Sequence, residues 1–220
     1  MTPVIVTAAL ESAAINPDVA LDGLLAASIA QRLDLPPIGA QDERGRAEAQ
    51  ALLIKHVANV VALSPCQRFF LVSDAQIERV QNEKRWLNRR FAASRAVELG
   101  GAKVRRVELT TGLSKSYRIP LATVHASKVQ WFALADANAL RETLEAVTHL
   151  GKKRSVGCGR VTSWTVQECK AWDGFPVLRD GAPLRSLPLD HAGLKQFAVE
   201  QKCLMFPYWE YRNEQPCAVA

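Results

Sequence analysis

Val4 to Leu10 form a short apolar run, rich in β-branched residues, between Pro3 and Glu11. A run of this length and type predicts a buried strand. Ile15–Asn16–Pro17–Asp18 reads as a turn. Leu21, Leu24, Leu25 and Ile29 then recur at helical spacing, so 20–33 is expected to be an amphipathic helix, with Asp18 near its N-cap and Pro36–Pro37–Ile38–Gly39 ending it. Residues 40–50 are polar and acidic, a loop or short helix. Ala51 to Leu63 fits helix or strand, and Ser64–Pro65 breaks it. Phe69 to Val72 looks like a strand start. Over 78–99, Val80, Lys84, Leu87, Phe91 and Arg95 recur at helical spacing until Gly100–Gly101, and Lys103 to Leu109 reads as a strand. Gly112 marks a hairpin or excursion.

Val129 to Leu134 is a strand candidate. Asp136 to Leu150 is a helix candidate, with Ala139, Leu140, Thr143, Leu144 and Val147 along one side, Asp136 as cap and Gly151 as stop. Val161 to Gln167 alternates as a strand does. The resulting strand–helix–strands–strand–helix–strand order resembles the split βαβ pattern of a ferredoxin-like domain, an α+β class. From about 171 the chain is loop-rich, punctuated by Gly174–Phe175–Pro176, Asp180–Gly181–Ala182–Pro183 and Leu187–Pro188, and runs at 176–178 and 197–205 are expected to pair as strands.

Composition narrows the classes. The 220 residues are 48% hydrophobic and 23% charged, too apolar for a disordered tail and long enough to enclose a sizeable core. No window holds about 18 uninterrupted apolar residues, so no membrane span is expected. The start, MTPVIVTAALESAA, has no basic leader and carries Glu11 early, unlike a secretory signal. Cys66, Cys158, Cys169, Cys203 and Cys217 form no C-x-x-C pair, which argues against a zinc site or disulfide framework and for a reducing cytoplasm. The formal charge of +6 is unevenly placed. Residues 1–50 carry seven acids and three bases, residues 78–106 nine bases and three acids, and residues 152–160 four bases and no acid. Two basic segments, beside an acidic first fifty residues and a remainder that nearly cancels, suit a polyanionic partner as well as simple solubility.

The segment LGKKRSVGCGRV, 150–161, follows a helix and precedes a strand. Gly157 and Gly159 permit tight turns and close approach, and Lys152, Lys153, Arg154 and Arg160 add charge beside them, an arrangement that suits an extended phosphodiester. It is neither G-x-x-x-x-G-K-[ST] nor G-x-G-x-x-G, because its order is helix, loop, strand. A basic helix terminator before an exposed turn accounts for the same residues without a ligand.

LDGLLAASIAQ (21–31), this glycine-bearing loop and MFPYWEY (205–211) together resemble the RAMP proteins of CRISPR effector complexes, in particular the small type IV subunit that caps the 5′ handle of the guide RNA. The resemblance implies a ferredoxin-like (RRM-like) domain over 1–170, an inserted basic thumb over roughly 78–118, and a reduced C-terminal lobe over 171–220. It implies a non-catalytic, cytoplasmic subunit with no cofactor and no metal. Its partners would be guide RNA, RAMP backbone subunits and a large subunit, with target nucleic acid reached only through the assembled complex and no membrane. Lys152, Lys153, Arg154, Gly157, Gly159 and Arg160 carry over as loop positions. The loop departs from the family's usual richer glycine pattern, with Cys158 between its last two glycines.

The thumb segment NEKRWLNRRFAASR interleaves Lys84, Arg85, Arg89, Arg90 and Arg95 with Trp86 and Phe91. On a helix, Arg85 would share a surface with Arg89, and Trp86 with Arg90. Arginine grips phosphate and an aromatic stacks on an unpaired base, whereas Trp86, Leu87 and Phe91 equally suit a core. Lys103, Arg105 and Arg106 extend the positive region, and Lys115, Tyr117 and Arg118 form another basic–aromatic unit. The enzymatic alternative is metal-independent guide-RNA processing, for which His125, among these bases, is the one named acid–base candidate. Asp18 with Asp22, and Ser73–Asp74 with His191, establish neither a metal site nor a triad. A third reading is a mainly structural assembly subunit. Trp172, Phe175, Phe206, Tyr208, Trp209 and Tyr211 would then pack, with Arg212 as anchor, on the main domain or on a neighbour.

Overall fold

The structure is a computed structural model. It describes residues 1–15, 19–36, 42–92, 110, 115–151, 158–191, 194, 196–208, 210 and 213–219, the backbone alone at 12–15 and 79–80. Statements below concern these residues. Asp18, the 103–109 strand, Gly112 and the turn at 100–101 lie outside them.

Alternation places Val4, Val6, Ala8 and Leu10 of β1 (Thr2–Ile15) on one buried face, as period two requires. Helix α1 (Leu21–Arg32) buries Leu21, Leu25 and Ile29 against it. A second helix, α2 (Glu43–Ala58), takes in most of the acidic stretch and the ambiguous one as far as Ala58. Its start is set by Asp42, whose carboxylate accepts from Gly45 N at 2.7 Å, a local signal for helix entry. Ala49, Leu53 and Val57 form its buried face. Beyond it, Val61 and Val72 bridge to the β3 residues Ala135 and Ala133, and Leu63 bridges to Phe70.

Strand β2 (Gln76–Arg89) pairs antiparallel with β3 (Tyr117–Ala135). This replaces the helix expected over 78–99, as far as that segment is described. The charged residues here permit helix locally, but β3 supplies cross-strand partners along β2 from Gln76 to Arg89, with shifts of register at Arg79. Helix α3 (Ala137–Leu144) is capped by Asp136, which accepts from Asn138 N and Ala139 N at 2.9 Å each. It ends six residues before the expected Leu150. Strand β4 (Val161–Glu168) closes the sheet.

The sheet order is β2-β3-β1-β4, antiparallel throughout and open at both edges. This mixed α+β topology is consistent with a ferredoxin-like arrangement, with two helices rather than one between β1 and β2. Trp131 is completely buried at its centre. Its indole N–H donates to Val19 O at 3.1 Å and its ring packs against Trp164. Ser28 Oγ donates to Thr143 O and ties α1 to α3.

Beyond 171 the chain forms β5 (Leu178–Arg179) with β6 (Ala182–Pro183), and a sheet in the order β7 (Leu187–Pro188), β9 (Glu214–Ala218), β8 (Val199–Cys203). The runs at 176–178 and 197–205 therefore do not pair with each other: Leu178 pairs with Pro183, and β8 with β9. A reverse turn through Asp180 and Gly181, both at positive φ, brings Leu178 and Pro183 together. Val177, Leu187, Leu194, Leu204 and Cys217 gather around Phe69 as a second apolar cluster. Trp172 and Phe175 pack edge-on against Phe132 of β3. Phe206 stacks on Phe70, and Gln50 Nε2 donates to Phe206 O at 3.0 Å. The described part of MFPYWEY thus packs on the main body; Trp209, Tyr211 and Arg212 lie outside the described residues.

Candidate nucleic-acid interface

Strand β1 accompanies β3 only as far as the pair Ile15–Val124. Past that point, among the described residues, β2 and β3 continue alone through seven cross-strand pairs, Glu83–Thr123 to Arg89–Tyr117. At about 3.4 Å per residue this two-stranded arm reaches about 20 Å beyond the sheet. Pro120 is tolerated in it because β3 has no described strand on its other side there. Phe91 N donates to Ser116 Oγ at 3.3 Å just past the paired residues.

Residues directly opposite in an antiparallel pair share a face. Lys84, Trp86 and Asn88 therefore lie with Ala122, Pro120 and Arg118, on the side that continues into buried Val124 and the helix-covered core. Arg85, Leu87 and Arg89 lie with Leu121, Ile119 and Tyr117 on the other side. Arg85 and Arg89 do share a surface, by the period of a strand rather than of a helix. Both faces of the arm carry cations, and Arg90 and Lys115 lie exposed at its outer end.

Trp86 is 44% exposed, so the core alternative for this side chain does not hold. Arg118 places its guanidinium carbon 4.4 Å from the centre of the Trp86 ring, and Lys84 its Nζ at 4.9 Å, both within cation–π range. On the opposite face Glu83 Oε2 meets His125 Nε2 at 2.7 Å and Arg85 Nε at 3.6 Å. The His125 hydrogen bond, with help from Arg85, holds the Glu83 carboxyl below its ordinary range despite some desolvation. Lys128 pairs with Glu78 at 3.0 Å. Both carboxylates at the sheet root of the arm, Glu78 and Glu83, are thus engaged, and past Glu83 the described arm carries cations and no further carboxylate.

The glycine-bearing loop is described only at its ends. Lys152, Lys153, Arg154 and Gly157 lie outside the described residues, as do Arg95, Lys103, Arg105 and Arg106 of the thumb segment. Gly159 is buried, with φ +69°, and a Cβ there would sit 2.1 Å from Leu150 O. Its close approach is to the chain's own backbone: Leu150 N donates to Gly159 O at 2.7 Å. Arg160 is exposed and pairs with Glu11 of β1 at 3.0 Å. Because β4 starts beside Leu10 and Glu11, while β3 meets Ile15, Arg160 and the arm root lie toward the same end of the sheet, on opposite sides of β1.

Sequence reasoning located the cations of the arm and left Trp86 undecided. The signal that separates Trp86 from Leu87 is alternation, which becomes readable only once the segment is known to be a strand. No described group of three or more His, Cys, Asp or Glu residues gathers as a metal site. No described helix is long and apolar enough to cross a membrane.

Comparison with known proteins adds the family. No curated protein matches the chain. Among solved structures it is similar to a chain in the cryo-EM structure of the Type III-B Cmr-beta bound to cognate target RNA, at 10% identity and a TM-score of 0.38, covering 76% of this chain and 61% of that one. It is also similar to a chain in the crystal structure of a Csm1-Csm4 cassette in complex with one ATP, at 10% identity and a TM-score of 0.32, covering 77% and 72%. Residues 83–220, from the start of the arm to the end of the sequence, match the family described as CRISPR type IV associated protein Csf3. The chain belongs to that family.

Proposed function

We propose that the chain is a non-catalytic guide-RNA-binding subunit that caps the 5′ handle and nucleates assembly of a type IV CRISPR ribonucleoprotein. The observation that carries this reading is the projecting two-stranded arm, with Lys84, Arg85, Arg89 and Arg118 along it and Arg90 and Lys115 at its outer end. A ribbon with cations on both faces suits a phosphodiester that wraps it, and family membership supplies the RNA-guided context. In this reading the arm would serve as part of the thumb expected over roughly 78–118, and exposed Arg160, at the end of the basic loop, lies toward the same end of the sheet for a second contact. Backbone subunits, a large subunit and a cytoplasmic setting follow from the same reading. Base pairing by the guide, not this chain, would select the target.

The test is charge reversal of Arg90, Lys115, Lys152 and Lys153, followed by handle-RNA binding across a salt series and by complex assembly. Binding should weaken and the salt slope should flatten by roughly 0.7 per lost phosphate contact. Unchanged binding and assembly would overturn the reading. Loss of guide-RNA cutting in His125→Ala with binding intact would establish the processing enzyme instead.

A further inference from the structure

We infer that the helix-side face of the arm is a seat for one unpaired RNA base, with Trp86 as its stacking platform. The inference rests on the RNA-binding reading above and adds the residue and the chemical group it receives. A large indole left 44% exposed on a projecting ribbon is poorly explained by packing, since most aromatic area in a folded chain is withdrawn from water.

The surroundings define the ligand. Next to Trp86 along the ribbon, toward the sheet, an open groove of about 580 Å³ is lined by Asn82, Lys84, Pro120, Ala122 and Val124 of the same face, and also by Glu83 and Thr123, within the ~300–1,000 Å³ common for small-ligand clefts. Its floor is apolar. Asn82 offers an amide with both donor and acceptor, which can read a base edge. Lys84 lies one alternate position from Trp86, with its ammonium against the ring. Its flexible stem lets that ammonium leave one ring face to an incoming base and meet the flanking phosphate. Arg118, on the side of Trp86 toward the arm's outer end, is placed for the next phosphate.

A flat π surface, an apolar floor, an amide and two cations match a nucleotide of a single strand. An apolar protein partner fits less well, because it would have to desolvate both cations without neutralising them. The carboxylate nearest in sequence, Glu83, is occupied on the other face by His125 and Arg85.

The experiment measures binding of an unstructured single-stranded RNA oligonucleotide, and of the same strand in a duplex, by wild type, Trp86→Ala, Trp86→Phe and Lys84→Gln. Trp86→Ala should lose roughly 5- to 100-fold on the single strand. It should keep its duplex affinity and its salt slope. Trp86→Phe should recover most of the loss. Lys84→Gln should flatten the slope. Because Trp86 is exposed, the thermal midpoint of each variant should match wild type. Equal single-strand affinity in Trp86→Ala overturns the seat, as does an equal loss on single strand and duplex. So does intact RNA binding with failed assembly on partner subunits, which would make Trp86 a protein contact. If charge reversal at Arg90 and Lys115 abolishes RNA binding while Trp86→Ala does not weaken it, only the seat falls. If wild type binds neither RNA, both readings fall.

Discussion

Tyr208 donates its phenolic O–H to the carboxylate of Asp22, fully buried in the first turn of α1, at 2.5 Å and across 186 residues of chain. Burial, reinforced by Asp22, pushes the Tyr208 phenol well above its usual range, so it remains a donor at any physiological pH. The bond joins the last aromatic segment to the first helix. Tyr208→Phe keeps the ring and leaves one carboxylate oxygen without this donor. The expected loss is about 1.5–3 kcal/mol, the range for hydrogen bonds to charged groups. Urea unfolding should show an earlier midpoint with an unchanged slope.

Arg185 is a second tie. Only 3% exposed, it donates from Nη1 to Phe70 O at 2.7 Å and Val72 O at 3.2 Å, and from Nη2 to Leu204 O at 3.0 Å. One guanidinium thus joins the 69–72 segment to the C-terminal lobe. Arg185→Met preserves much of the volume and leaves three carbonyls without this donor. We expect a loss of about 3 kcal/mol or more. Limited proteolysis should cleave the C-terminal lobe before the main body, and simultaneous digestion of both would contradict this placement.

Gly159 and Gly181 form an internal comparison. Both have positive φ, +69° and +78°, but an added Cβ meets Leu150 O at 2.1 Å in the first and nothing within 4 Å in the second. Gly181→Ala should carry only the backbone cost of about 1–2 kcal/mol. Gly159→Ala should cost more, because the Thr148–Leu150 side of the turn cannot recede without breaking the Leu150 N to Gly159 O and Val161 N to Thr148 O bonds. Thermal melts of the two variants side by side measure the difference.

Arg68 grips Asp190 with two hydrogen bonds, Nη1–Oδ2 at 2.8 Å and Nη2–Oδ1 at 2.7 Å. That pairing holds the Asp190 carboxyl below its usual value. Its folded-state pKa is depressed, so its stabilising effect is fully present above the unfolded value of ~3.9 and is lost as pH falls through the lowered folded value. Wild type should therefore exceed Arg68→Met in thermal midpoint at neutral pH, with the gap closing below about pH 4. A gap constant down to acid pH would refute the carboxylate as its source.

The two regular halves of the fold are local in origin. Val4, Val6 and Ala8 alternate, Leu21, Leu25 and Ile29 recur at helical spacing, and Asp136 caps its helix through its own neighbours. Each is decided within a few residues, and each was readable. The stretch 78–89 was not, because Lys84, Leu87 and Phe91 satisfy helical spacing while Lys84, Trp86 and Asn88 satisfy a strand equally well. Its cations were legible as a cluster, but not the face each occupies.

Pairing with Tyr117–Val124, some forty residues away at its root, settled that choice, since backbone hydrogen bonds across two strands outweigh weak intrinsic preferences. The same reason applies at the other end of the chain. Composition marked the tail as aromatic, but whether Phe206 and Tyr208 met a partner or their own domain depended on Phe70 and Asp22, long-range contacts that no local period encodes. Short-range order follows from side-chain period and capping, whereas the exposure of Trp86 and the anchoring of Tyr208 follow from which distant surfaces the folded chain brings together.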